Sequence, residues 1–139
     1  MPQPLIISVD FDGTCVTHEF PEVGDDVPGS VEVLRELVAH GHCLILWTMR
    51  SDGRPEGDFL KPAVAWFAKH GIPLFGINEN PKQRHWTGSP KAYAHLYIDD
   101  AALGCPLIQP EDGKTRPFVN WSLVREFLVW QGALPEEPA

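Results

Sequence analysis

The sequence lacks long hydrophobic runs, cysteine pairs and a basic leader. Its apolar segments, such as residues 44–47, are short, far below the roughly 20 residues that a membrane helix needs. The three cysteines are widely spaced and form no CxxC pair, so neither a disulfide framework nor a zinc site is predicted. No basic segment followed by an apolar stretch opens the chain. These features favour a cytoplasmic protein without a membrane span.

Positive charge is also scarce, because 11 Lys and Arg residues face 19 Asp and Glu residues, for a net charge of -8. Sequence-independent binding to DNA or RNA depends on many basic contacts to phosphates, so a small substrate is favoured as the partner. A nucleic-acid end stays open as a substrate if positive charge is concentrated locally. The length of 139 residues predicts one domain, residues 1–139.

What the chain does contain is an alternation of buried strands and amphipathic helices. Strands are predicted at residues 5–9, 43–47, 74–77 and 96–98, and helices from Ser30, at 59–70, from Lys91 and at 121–131, with a short flap at 13–29 and an irregular segment at 105–118. Residues 134–139 are expected to form a frayed acidic tail. The alternation predicts an α/β, three-layer Rossmann-like fold with a central parallel sheet.

Polar side chains follow three of these strands where each strand ends. Asp10 and Asp12 follow the first strand, Thr48 the second, and the pair Asp99 and Asp100 the fourth. Because ligands bind outside the carboxyl ends of strands in open parallel sheets, these side chains are expected to converge. One Asp after a strand is often only a turn or helix cap, but the full set indicates a site.

Clustered carboxylates repel one another unless a cation neutralises them. The expected ligands, Asp10, Asp12, Asp99 and Asp100, offer only oxygen, which favours Mg²⁺ over zinc. A metal held by carboxylates suits a substrate with anionic oxygens of its own, such as a phosphate. Gly13 would let the backbone bend and direct amides at that anion.

The order of these motifs resembles that of the haloacid dehalogenase (HAD) superfamily of phosphohydrolases. The matching segments are Asp10-Phe11-Asp12-Gly13-Thr14, Thr48, a lysine and Asp99-Asp100, within roughly residues 5–104. The segments 44–50, 78–80 and 97–100 look like those of small members without a cap domain. The intervals after Thr14 and after Thr48 leave no room for a cap, so an open site is expected, which either a large substrate or a second subunit of a homo-oligomer would complete.

The resemblance implies a phosphatase mechanism with assigned roles. Asp10 would be the nucleophile that forms an aspartyl-phosphate, and Asp12 would protonate the leaving oxygen and then activate water. Thr48 would hydrogen-bond the transferring phosphoryl group and a lysine would neutralise its charge. The metal would lie on Asp10, the Asp12 backbone carbonyl and Asp99, with Asp100 bound through water or orienting the others.

The sequence leaves two parts of the site open, namely which lysine is the catalytic one and which residues contact the substrate. Lys91 matches the third motif better than Lys82, although either could be an ordinary surface lysine. Gly13, Thr14, Met49 and Arg50 are candidate substrate contacts because they lie within two residues after the catalytic positions Asp12 and Thr48. Residues 80–91 carry Lys82, Arg84, His85 and Trp86, and this segment could either bind the leaving group of the substrate or be a solvated loop. His18 and Glu19 of the flap are more typical of a surface role.

Other functions remain as alternatives. A phosphorylated signalling receiver uses similar groups, but its acidic pair ends the first strand and its phosphorylated Asp comes later, the reverse of this order. A catalytically silent phosphate-binding protein is a third class, disfavoured because every motif position is kept. Among phosphatase substrates, small phosphorylated metabolites are favoured over nucleotides and nucleic-acid 3'-ends.

Overall fold

The computed structural model describes residues 3–137. Its elements, in chain order, are β1 (Ile6–Val9), α1 (Ser30–Ala39), β2 (Cys43–Leu46), α2 (Leu60–Lys69), β3 (Gly76–Ile77), β4 (Leu96–Ile98), β5 (Leu107–Ile108), β6 (Phe118–Val119) and α3 (Trp121–Trp130). Among the described residues, no helix combines the length and the apolar character required to cross a membrane.

The central sheet has four parallel strands in the order β3-β2-β1-β4. Val9, the last residue of β1, pairs with Leu46 of β2 on one side and with Ile98 of β4 on the other. The inner strands are apolar because helices cover the sheet; Ile7, Val9, Leu44 and Leu46 are buried. The fold is α/β and Rossmann-like with three layers, as the sequence predicts, and the ends of β1, β2 and β4 lie side by side.

The first helix begins differently from the expectation. Gly29, not Ser30, occupies the N-cap, with a left-handed φ of 85°, which glycine adopts without a Cβ penalty. Ser30 is the first helical residue, and its hydroxyl donates to the Cys15 carbonyl at 3.0 Å. The predicted cap residue therefore ties the helix to the loop that follows β1.

The region before β4 corrects two predictions. The third strand covers only Gly76–Ile77, and residues 91–95 form no helix. The buried Gln83 side chain donates to the carbonyls of Ser89 and Lys91 and accepts from the Tyr93 amide, at 2.7–3.0 Å. Because these bonds use backbone groups that a helix would need, the segment remains extended.

The C-terminal region is more ordered than the irregular segment and frayed tail that the sequence suggests. Leu107–Ile108 and Phe118–Val119 pair as antiparallel strands. After α3, Leu134 is buried, and Arg125 of α3 donates to the carbonyls of residues 135 and 136. The tail is therefore attached to α3 through residue 136, and its last two residues lie outside the described range.

Candidate active site

The polar residues at the strand ends do converge. A strand-end cavity of about 300 Å³ is lined by Asp10, Trp47, Thr48, Met49, Asn78 and Asp99. A second cavity of about 370 Å³, here called the flap cavity, is lined by Asp10, Asp12, His18, Phe20, Thr48, Met49, Arg50, Asp99, Asp100 and Ala101. The two share Asp10, Thr48, Met49 and Asp99, so residues that follow β1, β2 and β4 form one site, as expected for parallel strands that end at the same edge of a sheet.

Asp10, Asp99 and Asp100 form an acidic cluster in which one carboxylate oxygen of each lies within 4.8 Å of the others. Burial, followed by the charges of Asp99 and Asp100, raises the pKa of Asp10 to about 8. Burial also raises the pKa of Asp99. Such a site takes up either protons or a cation, and its all-oxygen donor set fits Mg²⁺.

Thr14 links two members of this cluster. Its side chain is fully buried; the hydroxyl donates to Oδ2 of Asp10 at 3.0 Å and accepts from the Asp100 amide at 3.2 Å. The Thr14 carbonyl accepts from Trp121 Nε1 at 2.7 Å. Thr14 is therefore a residue that positions the carboxylates, and the structure gives it no surface for the substrate contact suggested by the sequence.

Gly13 also differs from its expected role. Its amide donates to the Val16 carbonyl at 2.7 Å, so it is not free to bind an anion. A Cβ at this position would overlap the His18 ring and the Asp100 carboxylate. These two side chains contact each other, Nε2 to Oδ2, at 2.7 Å. Glycine is needed here because the flap passes directly over the acidic cluster.

Arg50 binds the protein itself and leaves no N–H for substrate. Nε donates to Oδ2 and Nη2 to Oδ1 of Asp12, both at 2.8 Å. Nη1 donates to the carbonyls of Pro21 and Phe59, and Nη2 to that of Glu22. These five bonds use all five guanidinium donors, and the side chain is 1% exposed. The structure therefore does not present Arg50 as the substrate contact that the sequence predicts, because its donors are used within the protein.

Thr48 lines both cavities. Its oxygen accepts from the Arg50 amide at 3.1 Å, which leaves the hydroxyl proton free to donate into the cavity. Its own amide donates to Oδ1 of Asn78 at 2.8 Å. Asn78 has a left-handed φ of 54°, a conformation that Asn tolerates better than most residues. Met49, exposed over 98% of its surface, stands at the mouth of both cavities.

Neither candidate lysine lines these cavities. Lys91 is exposed and places Nζ 5.5 Å from the centre of the Tyr97 ring. Lys82 is likewise exposed, with Nζ 5.9 Å from the centre of the Phe75 ring. The structure thus does not bring the expected lysine to the acidic cluster.

The loop before Lys91 encloses a separate, polar space. This loop cavity, of about 460 Å³, is lined by Asn78, Glu79, Asn80, Gln83, Arg84, Thr87, Gly88, Ser89 and Pro90. Asn80 and Gln83 are buried, and their amide groups hydrogen-bond the surrounding backbone. Residues 78–93 are therefore a braced loop, and Asn78 borders both this cavity and the strand-end cavity.

Three residues that hold the site were not identified from the sequence. From the sequence, His18 is typical of a surface residue, and Asn78 belongs only to a family-like segment. Trp121 is predicted only as part of the terminal helix. Their partners are 82, 30 and 107 residues away in the chain. An Asn directly after a strand was the only local signal for any of the three.

The fold and the acidic cluster define a Rossmann-like α/β protein with a candidate metal centre at the carboxyl edge of its sheet. A scan of protein-family models and a search of curated proteins find no match. Among solved structures, a conserved protein from Bacteroides thetaiotaomicron is 32% identical, with a TM-score of 0.72 over 93% of both chains. The chain belongs to the same family as that conserved protein.

Proposed function

We propose that this protein is a magnesium-dependent phosphatase that hydrolyses a phosphate monoester of a small metabolite through an aspartyl-phosphate on Asp10. The observation that carries the proposal is the acidic cluster, with its oxygens within 4.8 Å of one another, beside a cavity that also contains Thr48. The sequence resemblance to the HAD superfamily supports the same reaction. A net charge of -8 disfavours nucleic-acid ends relative to small substrates.

The donor set fits a magnesium ion. Asp10, Asp99 and Asp100 would hold it together with the Asp12 backbone carbonyl. Bound there, Mg²⁺ would neutralise the carboxylates and reduce the negative charge felt by an incoming phosphate. Without a cation, the raised pKa of Asp10, about 8, would keep this residue protonated and poorly nucleophilic at neutral pH.

Asp10 would attack phosphorus. Thr14 donates to Oδ2 of Asp10, which orients the carboxylate. In the first step, an Asp10 oxygen bonds to phosphorus, the ester P–O bond breaks, and a proton from Asp12 neutralises the leaving oxygen. In the second step, Asp12 takes a proton from water as the water oxygen attacks phosphorus and the Asp10–phosphate bond breaks. The Thr48 hydroxyl would donate to a phosphoryl oxygen in both steps.

Asp12 can do this although Arg50 binds both of its oxygens. For the first step Asp12 must carry a proton, and a protonated carboxyl has one O–H donor besides its remaining acceptor sites; the ionised form that takes a proton from water in the second step has about four acceptor sites. Arg50 occupies two acceptor sites in either state. The Asp12 side chain is still 17% exposed and borders the flap cavity. Arg50 would therefore hold Asp12 in place without closing it off from a leaving oxygen or a water.

The test is phosphate release from a panel of monoesters, including 4-nitrophenyl phosphate, with Mg²⁺ or with chelator. We expect magnesium-dependent turnover that Asp10→Asn abolishes. The matched control is Asp112→Asn, since Asp112 is an exposed carboxylate in the turn between β5 and β6. An Asp10→Asn variant as fast as the parent would refute the nucleophile assignment. Stable phosphorylation without release would favour the receiver-like alternative.

A further inference from the structure

The strand-end cavity and the flap cavity differ in which catalytic groups they offer to a bound phosphate ester. Both contain Asp10 and Thr48, but Asp12 borders only the flap cavity. The group that protonates a leaving oxygen must lie within hydrogen-bond reach of it. If Asp12 has this role, the leaving group extends into the flap cavity and away from Asn78.

The flap cavity has two large apolar side chains at its rim. Met49 is 98% exposed and Phe20 is 56% exposed. The Phe20 ring is held in place because it packs edge-on against Phe59, 5.2 Å between centroids, and lies 5.1 Å from the Arg50 guanidinium. A single exposed apolar residue is ordinary, but two of them beside a polar reaction centre are typical of ligand contacts.

Among the described residues that line the flap cavity, none offers a free cation for a second anionic group. Of the residues that line it, Arg50 is the permanently charged cation, and its five donors are occupied. His18 directs Nε2 to Asp100. Even with Mg²⁺ bound to the acidic cluster and engaged with the transferring phosphate, a carboxylate or second phosphate on the leaving group would find no unoccupied cation among the described residues of this cavity.

From these observations we infer that the flap cavity is the leaving-group site and that it selects monoesters whose leaving group is uncharged and presents a flat or apolar face to Phe20 and Met49. Aryl-bearing alcohols and nucleosides share this chemistry. The inference rests on the proposed phosphatase activity and specifies its substrate class.

The loop cavity is the competing site for the leaving group. Its lining is polar, and Arg84 and Glu79 at its edge lie 3.4 Å apart, Nη2 to Oε1. That surface suits a polyhydroxylated group such as a sugar. The loop cavity borders the strand-end cavity through Asn78 and does not reach Asp12.

The experiment compares esters of primary alcohols, so that the leaving oxygens are chemically alike. The panel contains phenylethyl phosphate, a nucleoside monophosphate esterified at its primary hydroxyl, glycerol phosphate and a hexose monophosphate esterified at its primary hydroxyl. We expect kcat/KM for phenylethyl phosphate to exceed that for glycerol phosphate by about tenfold or more. The nucleoside ester shows whether a base can take the place of the phenyl ring.

Phe20→Ala and Met49→Ala should each lower this ratio, and the double variant should bring it to about one. Trp86→Ala is the matched control, since Trp86 is also 56% exposed but does not line the flap cavity. Its ratio should equal that of the parent.

The inference would be overturned if the ratio survived the double variant, or if Arg84→Ala reduced turnover of the hexose ester while Phe20→Ala changed nothing. In either case Asp10-dependent phosphate release would persist, so the proposed function would stand. Absence of release from every ester, including 4-nitrophenyl phosphate, would remove the proposed function and this inference together.

Discussion

Arg50 and Asp12 form a bidentate ion pair in which Nε and Nη2 of Arg50 each lie 2.8 Å from a different oxygen of Asp12. The remaining Arg50 donors bind carbonyls of the flap and of Phe59, the residue before α2. One buried guanidinium thus fixes the proposed acid-base group and the flap to the same point of the fold, a geometry that the planar fork of Arg allows and Lys cannot reproduce.

Replacement of Arg50 should therefore impair proton transfer more than binding of phosphate. For Arg50→Lys we expect kcat/KM to fall about 100-fold on an alkyl phosphate, within the range that general acid catalysis contributes. The fall should be below about tenfold on 4-nitrophenyl phosphate, whose leaving group needs no proton. Arg54→Lys is the control, because Arg54 is 69% exposed and pairs only loosely with Glu56 at 3.8 Å. Equal losses on both substrates would contradict the positioning role.

Stability of the metal-free protein should fall as pH rises. The pKa of Asp10 is about 8 in the folded chain, against 3.8 for an unperturbed Asp, so the folded state binds the proton more tightly. The stabilisation from that proton is complete below the unfolded value and is lost as pH rises toward about 8. The raised pKa of Asp99 acts in the same direction. Thermal unfolding with chelator from pH 5 to pH 8 should show a decreasing Tm.

Magnesium should reverse this trend, because the ion binds the ionised carboxylates and competes with protons. The rise in Tm caused by Mg²⁺ should be larger at pH 8 than at pH 6. Asp10→Asn should flatten the metal-free pH dependence and reduce the magnesium effect. A Tm that does not respond to Mg²⁺ at either pH would argue against a metal at the acidic cluster.

Gly13→Ala should destabilise the protein beyond the strain of its backbone. Gly13 has φ 87° and Gly53 has φ 80°, but an added Cβ at Gly53 meets open space, whereas at Gly13 it overlaps His18 and Asp100. The loss of unfolding free energy in Gly53→Ala therefore measures the cost of placing Ala at a positive φ, of order 1 kcal/mol. The additional loss in Gly13→Ala measures the cost of displacing the His18–Asp100 contact. We expect that excess to be roughly 1–3 kcal/mol in urea unfolding, together with weaker magnesium binding. Equal losses in the two variants would show that the flap can move away without cost.

Trp121→Phe should loosen the loop that carries the nucleophile. Trp121 is 1% exposed, and its Nε1 donates to the buried Thr14 carbonyl at 2.7 Å. Loss of that donor leaves a buried acceptor without its partner, at roughly 1–3 kcal/mol. Trp130→Phe is the control, since Trp130 is 84% exposed. Urea unfolding should separate the two variants, and comparable stabilities would mean that the Thr14 carbonyl finds another donor.

Local patterns were sufficient for the elements with strong periodicity. Strands β1, β2 and β4 and helix α2 are close to their predicted positions because apolar runs and glycine stops encode them directly, whereas β3 is half its predicted length. The helix expected from Lys91 does not form because the side-chain amide of Gln83, eight residues earlier, donates a hydrogen bond to the Lys91 carbonyl, which a helix would need for its own hydrogen bonding. The short strands β5 and β6 were not predicted, since two-residue strands carry too little periodicity to be recognised.

For the site, the sequence by itself determined that carboxylates following β1 and β4 meet, because the ends of parallel strands share one edge of a sheet. Asp12 was expected among them, but among the described residues the acidic cluster contains only Asp10, Asp99 and Asp100. Only the tertiary structure decided what each neighbour does. Arg50 turned inward to Asp12, Thr14 became a brace between Asp10 and Asp100, and both candidate lysines lay outside the two cavities. These outcomes depend on contacts between distant segments, such as the 38 residues separating Arg50 from Asp12, and no local pattern specifies which buried donor will satisfy which acceptor.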